Sequence, residues 1–147
     1  MEGKPTNIAP TQDDEYQTTA WALTELGGKH TPIKINRPKV FANQVNFEIL
    51  YAGICHTDVH IGENTFGNTV YPFVAGHEIL GRVLEIGEGV TKVKVGDIVG
   101  VGCFIDSCLD CPSCDAGDEN YCYKGQTGTY NGDKKHGRVG GNQVTKS

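Results

Sequence analysis

The sequence has no apolar run longer than a few residues, no basic leader with a hydrophobic stretch behind it, no excess of positive charge, no internal repeat and no low-complexity tract. Each absence excludes a class. Without about 20 consecutive apolar residues there is no transmembrane helix, and without a charged and then apolar leader no secretory route is indicated. The cytoplasm is the expected compartment. Lys plus Arg number 13 against 18 Asp plus Glu, a net charge of −5, which argues against a chain built to grip phosphate backbones or anionic lipid. Neither nucleic acid nor membrane is therefore an expected partner. A dinucleotide fingerprint is also missing: Gly87-Glu88-Gly89 and Gly100-Val101-Gly102 each supply only the first two glycines of G-x-G-x-x-G, with Lys92 and Ile105 where the third would stand.

What is present fits one compact domain. A chain of 147 residues falls in the usual single-domain range, which argues against a separate cofactor domain within it. Glycine is the outlier at 20 residues, about twice the usual share of roughly 7%. That abundance predicts many tight turns and argues against long helices. Residues 1–15 are polar, with Pro5 and Pro10, and read as a flexible arm ahead of a domain over 16–147. Residues 17–24 and 33–36 suit short strands. In 45–52, Val45, Phe47, Ile49 and Tyr51 alternate with Asn46, Glu48, Leu50 and Ala52, as a half-buried strand requires. Further strands are expected over 79–86 and 97–101, and a short helix over 55–62. Short strands at roughly ten-residue spacing with glycine punctuation predict a mainly β, barrel-like or sandwich-like domain.

Six cysteines stand at Cys55, Cys103, Cys108, Cys111, Cys114 and Cys122, five of them between 103 and 122. A disulfide framework is disfavoured because nothing signals export. Cys108-x2-Cys111-x2-Cys114-x7-Cys122 suits a metal loop: short gaps turn successive sulfurs toward one centre, and the longer gap brings the fourth back. Four thiolates give Zn2+ a closed, structural site that would staple residues 107–123, which have too few apolar residues to fold by burial. An iron–sulfur cluster is the rival, but the ferredoxin pattern has a three-residue last gap followed by proline, whereas Tyr123 follows here. Asp106, Asp110, Asp115, Asp118 and Glu119 read as a solvated acidic surface. The remaining cysteine, Cys55, follows a strand, and His77 precedes one. A soft sulfur and an imidazole in such places make a second candidate metal site.

GICHTDVH at 53–60, AGHEILGRVLEIGEGV at 75–90, KVKVGDIVGVGCFIDSC at 92–108 and CLDCPSCDAGDENYC at 108–122 together resemble the zinc-dependent medium-chain alcohol dehydrogenases, most closely their cinnamyl alcohol dehydrogenase branch. The resemblance spans roughly residues 40 to 132. It implies a GroES-like β-barrel catalytic domain with short helices and a zinc-binding loop. In the full-length enzyme a Rossmann domain follows, binding NADP or NAD, and the activity is interconversion of primary alcohols and aldehydes by hydride transfer. By resemblance, Cys55 and His77 are ligands of a catalytic zinc that polarises the substrate oxygen, and Glu78 is a candidate transient ligand. Thr57 would take the alcohol proton, His60 would pass it toward solvent, and Asp58 would accept the other N–H of His77. Cys108, Cys111, Cys114 and Cys122 match the family's structural zinc lobe. Cys103 falls outside that set and reads as a buried packing residue. Phe66 and Phe104 are candidates to line a small alcohol or aldehyde pocket, with core packing the commoner role for both.

The resemblance has gaps. The family's third strong catalytic ligand, a cysteine, lies beyond the barrel-forming segment, and Gly140-Gly141-Asn142 only half matches the expected Gly-Gly-Tyr. The chain is therefore expected to be a truncated portion, with a weakly held catalytic metal, a full structural site and no hydride transfer of its own. A homodimer is expected only of the full-length form. Alternatives from other classes are a non-enzymatic zinc-stapled β-module and an iron–sulfur carrier.

Overall fold

The computed structural model describes residues 15–40 and 42–130. They are mostly strands with few, short helices. In chain order these are β1 (Glu15–Ala22), β2 (Thr31–Pro38), β3 (Val45–Ala52), α1 (His56–Gly62), β4 (Ile79–Ile86), β5 (Ile98–Val101), β6 (Phe104–Asp106), α2 (Pro112–Asp115), one turn of 3-10 helix (Glu119–Tyr121) and β7 (Thr127–Gly128). Glu15 already belongs to β1, so the expected arm is shorter by that residue; the rest of it lies outside the described residues, as does the tail from 131 on.

The strands form three antiparallel sheets, β1-β2, β3-β4-β5 and β6-β7. β4 occupies the centre of the largest, and over residues 79–84 its burial alternates: Ile79, Gly81 and Val83 are buried while Leu80, Arg82 and Leu84 are exposed, the period-two pattern of a strand with one packed face. Gly81 is required by close approach, since a Cβ there would overlap the Phe47 ring and the Glu48 carbonyl of β3. The β3 alternation fails toward its C-terminal end. Register shifts at Asn46/Phe47 and Ile49/Tyr51 turn the strand, and Ile49 and Tyr51 emerge 58% and 72% exposed. A bulge re-aims the side chains beyond it, so the expected inward face is not kept.

Buried apolar side chains of Ala22, Leu23, Ile35, Phe73, Ile79 and Val83 make the core. Phe73 joins its parts. Its backbone exchanges hydrogen bonds with Leu23 at the end of β1, Leu23 N to Phe73 O at 2.8 Å and Phe73 N to Leu23 O at 2.7 Å. α1 ends against the same point, because Gly62 is buried and a Cβ on it would press on Leu23. Hairpin, helix and the loop before His77 thus meet in one place.

Candidate functional site

Among the described residues, two groups of metal-type donors stand out. The first starts where β3 gives way to α1. Cys55 caps the helix in an extended conformation, and Asp58, three residues on, closes a reciprocal cap: Cys55 N donates to Asp58 Oδ2 at 3.0 Å, and Asp58 N donates to Cys55 O at 3.0 Å. The other carboxylate oxygen, Oδ1, accepts from Gly76 N at 2.9 Å and lies 3.2 Å from His77 Nδ1. Asp58 and His77 are both buried. A carboxylate against Nδ1 favours the tautomer with the proton on that nitrogen and leaves the Nε2 lone pair available to a metal. Gly76 has φ +111°, a conformation that L side chains rarely adopt, so glycine there lets the backbone N–H reach Asp58 just before the imidazole.

Glu78 opens β4's approach and is exposed. Its carbonyl accepts from Gly53 N at 2.8 Å, and its carboxylate lies over Gly53 so closely that a Cβ at 53 would overlap it. Ligand atoms of Cys55, His77 and Glu78 all fall within 4.8 Å of one another, with one soft sulfur, one imidazole and one carboxylate oxygen. That donor set suits zinc. The structure thus brings the three together from positions 22 and 23 residues apart in sequence.

Thr57 is exposed, and the Cys55 Sγ donates to its Oγ1 at 3.6 Å. His60, one turn after His56 on α1, is half-buried; its ring meets those of His56 at 4.5 Å and Phe66 at 5.8 Å. Phe66 is 60% exposed, which overturns core packing for it, while Phe104 is half-buried in β6. Cys103 is exposed, so it is no packing residue: it sits in the bend between β5 and β6, where its carbonyl accepts from Thr129 N at 3.2 Å. Sequence reasoning missed Tyr130. Its ring stands nearly perpendicular to His77 and to Phe73, with centroids 5.2 Å away in both cases. Burial, then the charges of Asp58, Cys55 and Cys103, push its hydroxyl up to about 12. A lone tyrosine beyond the last cysteine carries no spacing signal that could have found it.

The second group lies between β6 and β7. Cys111 caps α2, whose first residue is Pro112, a position where a missing N–H costs nothing. Sulfurs of Cys111 and Cys114 are 3.5 Å apart and those of Cys108 and Cys114 3.9 Å apart, and all four lie within 4.8 Å of one another. Four thiolates at about 2.3 Å from a tetrahedral zinc would be separated by about 3.8 Å. The donors therefore fit such an ion. Backbone N–H groups of Cys114 and Tyr123 point at Cys111 and bring its thiol down to about 6. Cys122 is lowered chiefly by the Cys108 N–H, and burial pushes Cys108 up to about 12. Of the acidic residues around the lobe, Asp110, Asp115 and Asp118 are exposed, but Asp106 and Glu119 are half-buried. Asp110 also reaches Lys124 at 3.4 Å, so the surface is less uniformly solvated than expected.

Fold, cap geometry and paired sulfur lobe define a class, and comparison with known proteins places the chain in it. Residues 42–144 match the alcohol dehydrogenase GroES-like domain, and the chain belongs to that family. A probable cinnamyl alcohol dehydrogenase 8A of Oryza sativa subsp. japonica is 47% identical over 111 residues, 76% of this chain and 31% of the relative. A mannitol dehydrogenase of Petroselinum crispum is 52% identical over 100 residues, 68% of this chain and 29% of the relative. Among solved structures, the cinnamyl alcohol dehydrogenase of Helicobacter pylori complexed with NADP(H) superposes with a TM-score of 0.78 at 38% identity, covering 86% of this chain and 38% of that one. The chain spans about a third of the length of these relatives. The mainly β, GroES-like domain expected from the sequence is the fold found, and no helix among the described residues is long and apolar enough to cross a membrane.

Proposed function

We propose that the chain is the metal-binding part of the catalytic domain of a zinc-dependent alcohol dehydrogenase, residues 16–147 forming that domain. In the full-length enzyme it would interconvert primary alcohols and aldehydes by hydride transfer with NADP or NAD. The observation that carries this reading is the convergence of Cys55, His77 and Glu78 around one point, with Asp58 tying the first two to the same carboxylate. Zinc bound there supplies Lewis acidity toward a substrate oxygen. The remaining steps fall to this chain's side chains. Thr57, beside Cys55, accepts the proton that leaves an alcohol substrate. His60 passes it along α1 toward solvent, and Asp58 keeps His77 in the tautomer that binds metal.

The four-cysteine lobe holds a structural zinc, consistent with the sulfur spacings and with a loop whose buried apolar side chains are the cysteines Cys111 and Cys122 themselves. NADP is the favoured cofactor because the Helicobacter pylori neighbour was solved with NADP(H). Similarity to both cinnamyl alcohol and mannitol dehydrogenases leaves the substrate class at small alcohols and aldehydes. A cytoplasmic location agrees with six free thiols, and a homodimer belongs to the full-length form.

The test is a chimera in which this chain replaces the matching third of the rice relative. It should reduce cinnamaldehyde with NADPH, and Cys55→Ala or His77→Ala should abolish that reduction while the zinc of the four-cysteine lobe is retained. A folded, zinc-loaded chimera without aldehyde reduction would sink the proposal.

A further inference from the structure

His77 is held in its own plane by Asp58, through one contact at the Nδ1 edge. A ring fixed at one edge still rocks about that contact. The Tyr130 ring stands at 82° to His77 and 5.2 Å from it, and this face-to-edge packing opposes the rocking. Tyr130 is itself fixed from both sides. It packs at 86° against Phe73, which is 1% exposed and bonded to β1. Its neighbour Thr129 is buried, donates its N–H to Cys103 O at 3.2 Å, and donates its hydroxyl to Gly102 O. Two residues earlier, β7 pairs with β6, and these strands flank the four-cysteine lobe.

We propose that Tyr130 is a positioning residue for His77: the lobe between β6 and β7 presents its ring to the imidazole, so order in the lobe is transmitted to the first metal site. The inference rests on the metal reading of Cys55, His77 and Glu78. In this role it is the ring, packed against His77, and not the hydroxyl, that acts.

The experiment uses the chain loaded with one equivalent of Zn2+, which fills the four-sulfur site. Long-range 1H–15N spectra read the His77 imidazole, and Co2+ titration reads the second site. The wild-type chain and Tyr130→Phe should show one fixed Nδ1–H tautomer and equal Co2+ affinity. Tyr130→Met, similar in bulk but without an aromatic edge, should show an averaged imidazole and Co2+ affinity weaker by about tenfold, with its zinc retained. Thr129→Val keeps the ring and loosens its anchor, giving a partial effect should the methionine variant fail to fold. Unchanged imidazole signals in both Tyr130→Met and Thr129→Val overturn the proposal, as does a loss in Tyr130→Phe equal to that in Tyr130→Met. Wild-type chain that takes up no second metal, with an imidazole that still responds to Tyr130→Met, overturns the metal reading and leaves the hold of Tyr130 on His77 standing.

Discussion

Asp58 accepts from the N–H groups of Cys55 and Gly76 and faces His77 Nδ1, so one buried carboxylate ties together two candidate ligands that lie on different segments. An amide of the same shape cannot do this, because one of its two ends is a donor. Asp58→Asn is expected to weaken metal binding at Cys55 and His77 by about 10- to 100-fold and to leave the four-cysteine metal in place, as competitive chelator titration would read. Asp58→Ala should also lower stability by about 1–3 kcal/mol, since buried donors lose their acceptor; urea denaturation checks this. Cys55 and His77 were legible in the sequence because sulfur and imidazole beside strand ends are chemically conspicuous. Gly53 and Gly76 were not, because Gly53 supplies the absence of a Cβ where Glu78 must approach and Gly76 supplies a positive φ, and both needs exist only in three dimensions. Cys103 was misread for the related reason that a cysteine's burial depends on the strand it follows, and here β5 ends just before it.

Among the elements, the strands with one packed face were the readable ones. β4 was found over its whole length and α1 to within one residue, while β3 lost its alternation at a bulge that no residue type announces. The four-cysteine lobe was readable from spacing alone, and its electrostatics give a prediction that spacing could not. In the metal-free lobe Cys111 titrates near 6 and Cys122 is also lowered, against an ordinary thiol value of 9.0, whereas Cys108 is raised to about 12. Between pH 6 and 9 the unfolded lobe carries more protons than the folded one, so stability rises with pH. Between 9 and 12 the folded lobe keeps the Cys108 proton that the unfolded one has lost, and stability falls. Metal-free lobe stability should therefore peak near pH 9 and be lost on acidification through 6, measured by amide exchange over 107–122. Zinc removal at pH 7 should destabilise this lobe and leave the β3-β4-β5 sheet intact, because the buried Ile79 and Val83 pack that sheet. A sheet that melts together with the lobe on chelation would contradict the division.

At the scale of the whole molecule, a small core contrasts with much exposed apolar surface. Trp21 is 64% exposed and Ile54 92%, and both line a groove of about 590 Å3 with Leu23, His30 and Val59 beside α1. Soluble monomers seldom leave contiguous apolar area of this kind open. The groove wall is made by the end of β1 and by the turn leading to Cys55, with Asp58 among its lining residues, so the elements behind the candidate ligands are the ones that face it. Trimming Trp21 and Ile54, whose side chains are mostly exposed, should nonetheless be separable from the fold and from the metal. Trp21→Gln with Ile54→Gln removes two exposed side chains and no buried one. It is expected to change stability by no more than about 0.5 kcal/mol per site, to leave zinc content unchanged, and to reduce fluorescence of a bound apolar dye markedly. Dye binding that persists undiminished in the double variant would place the accessible apolar surface elsewhere, on the face of β3 and β4 that carries Tyr51, Leu80 and Leu84.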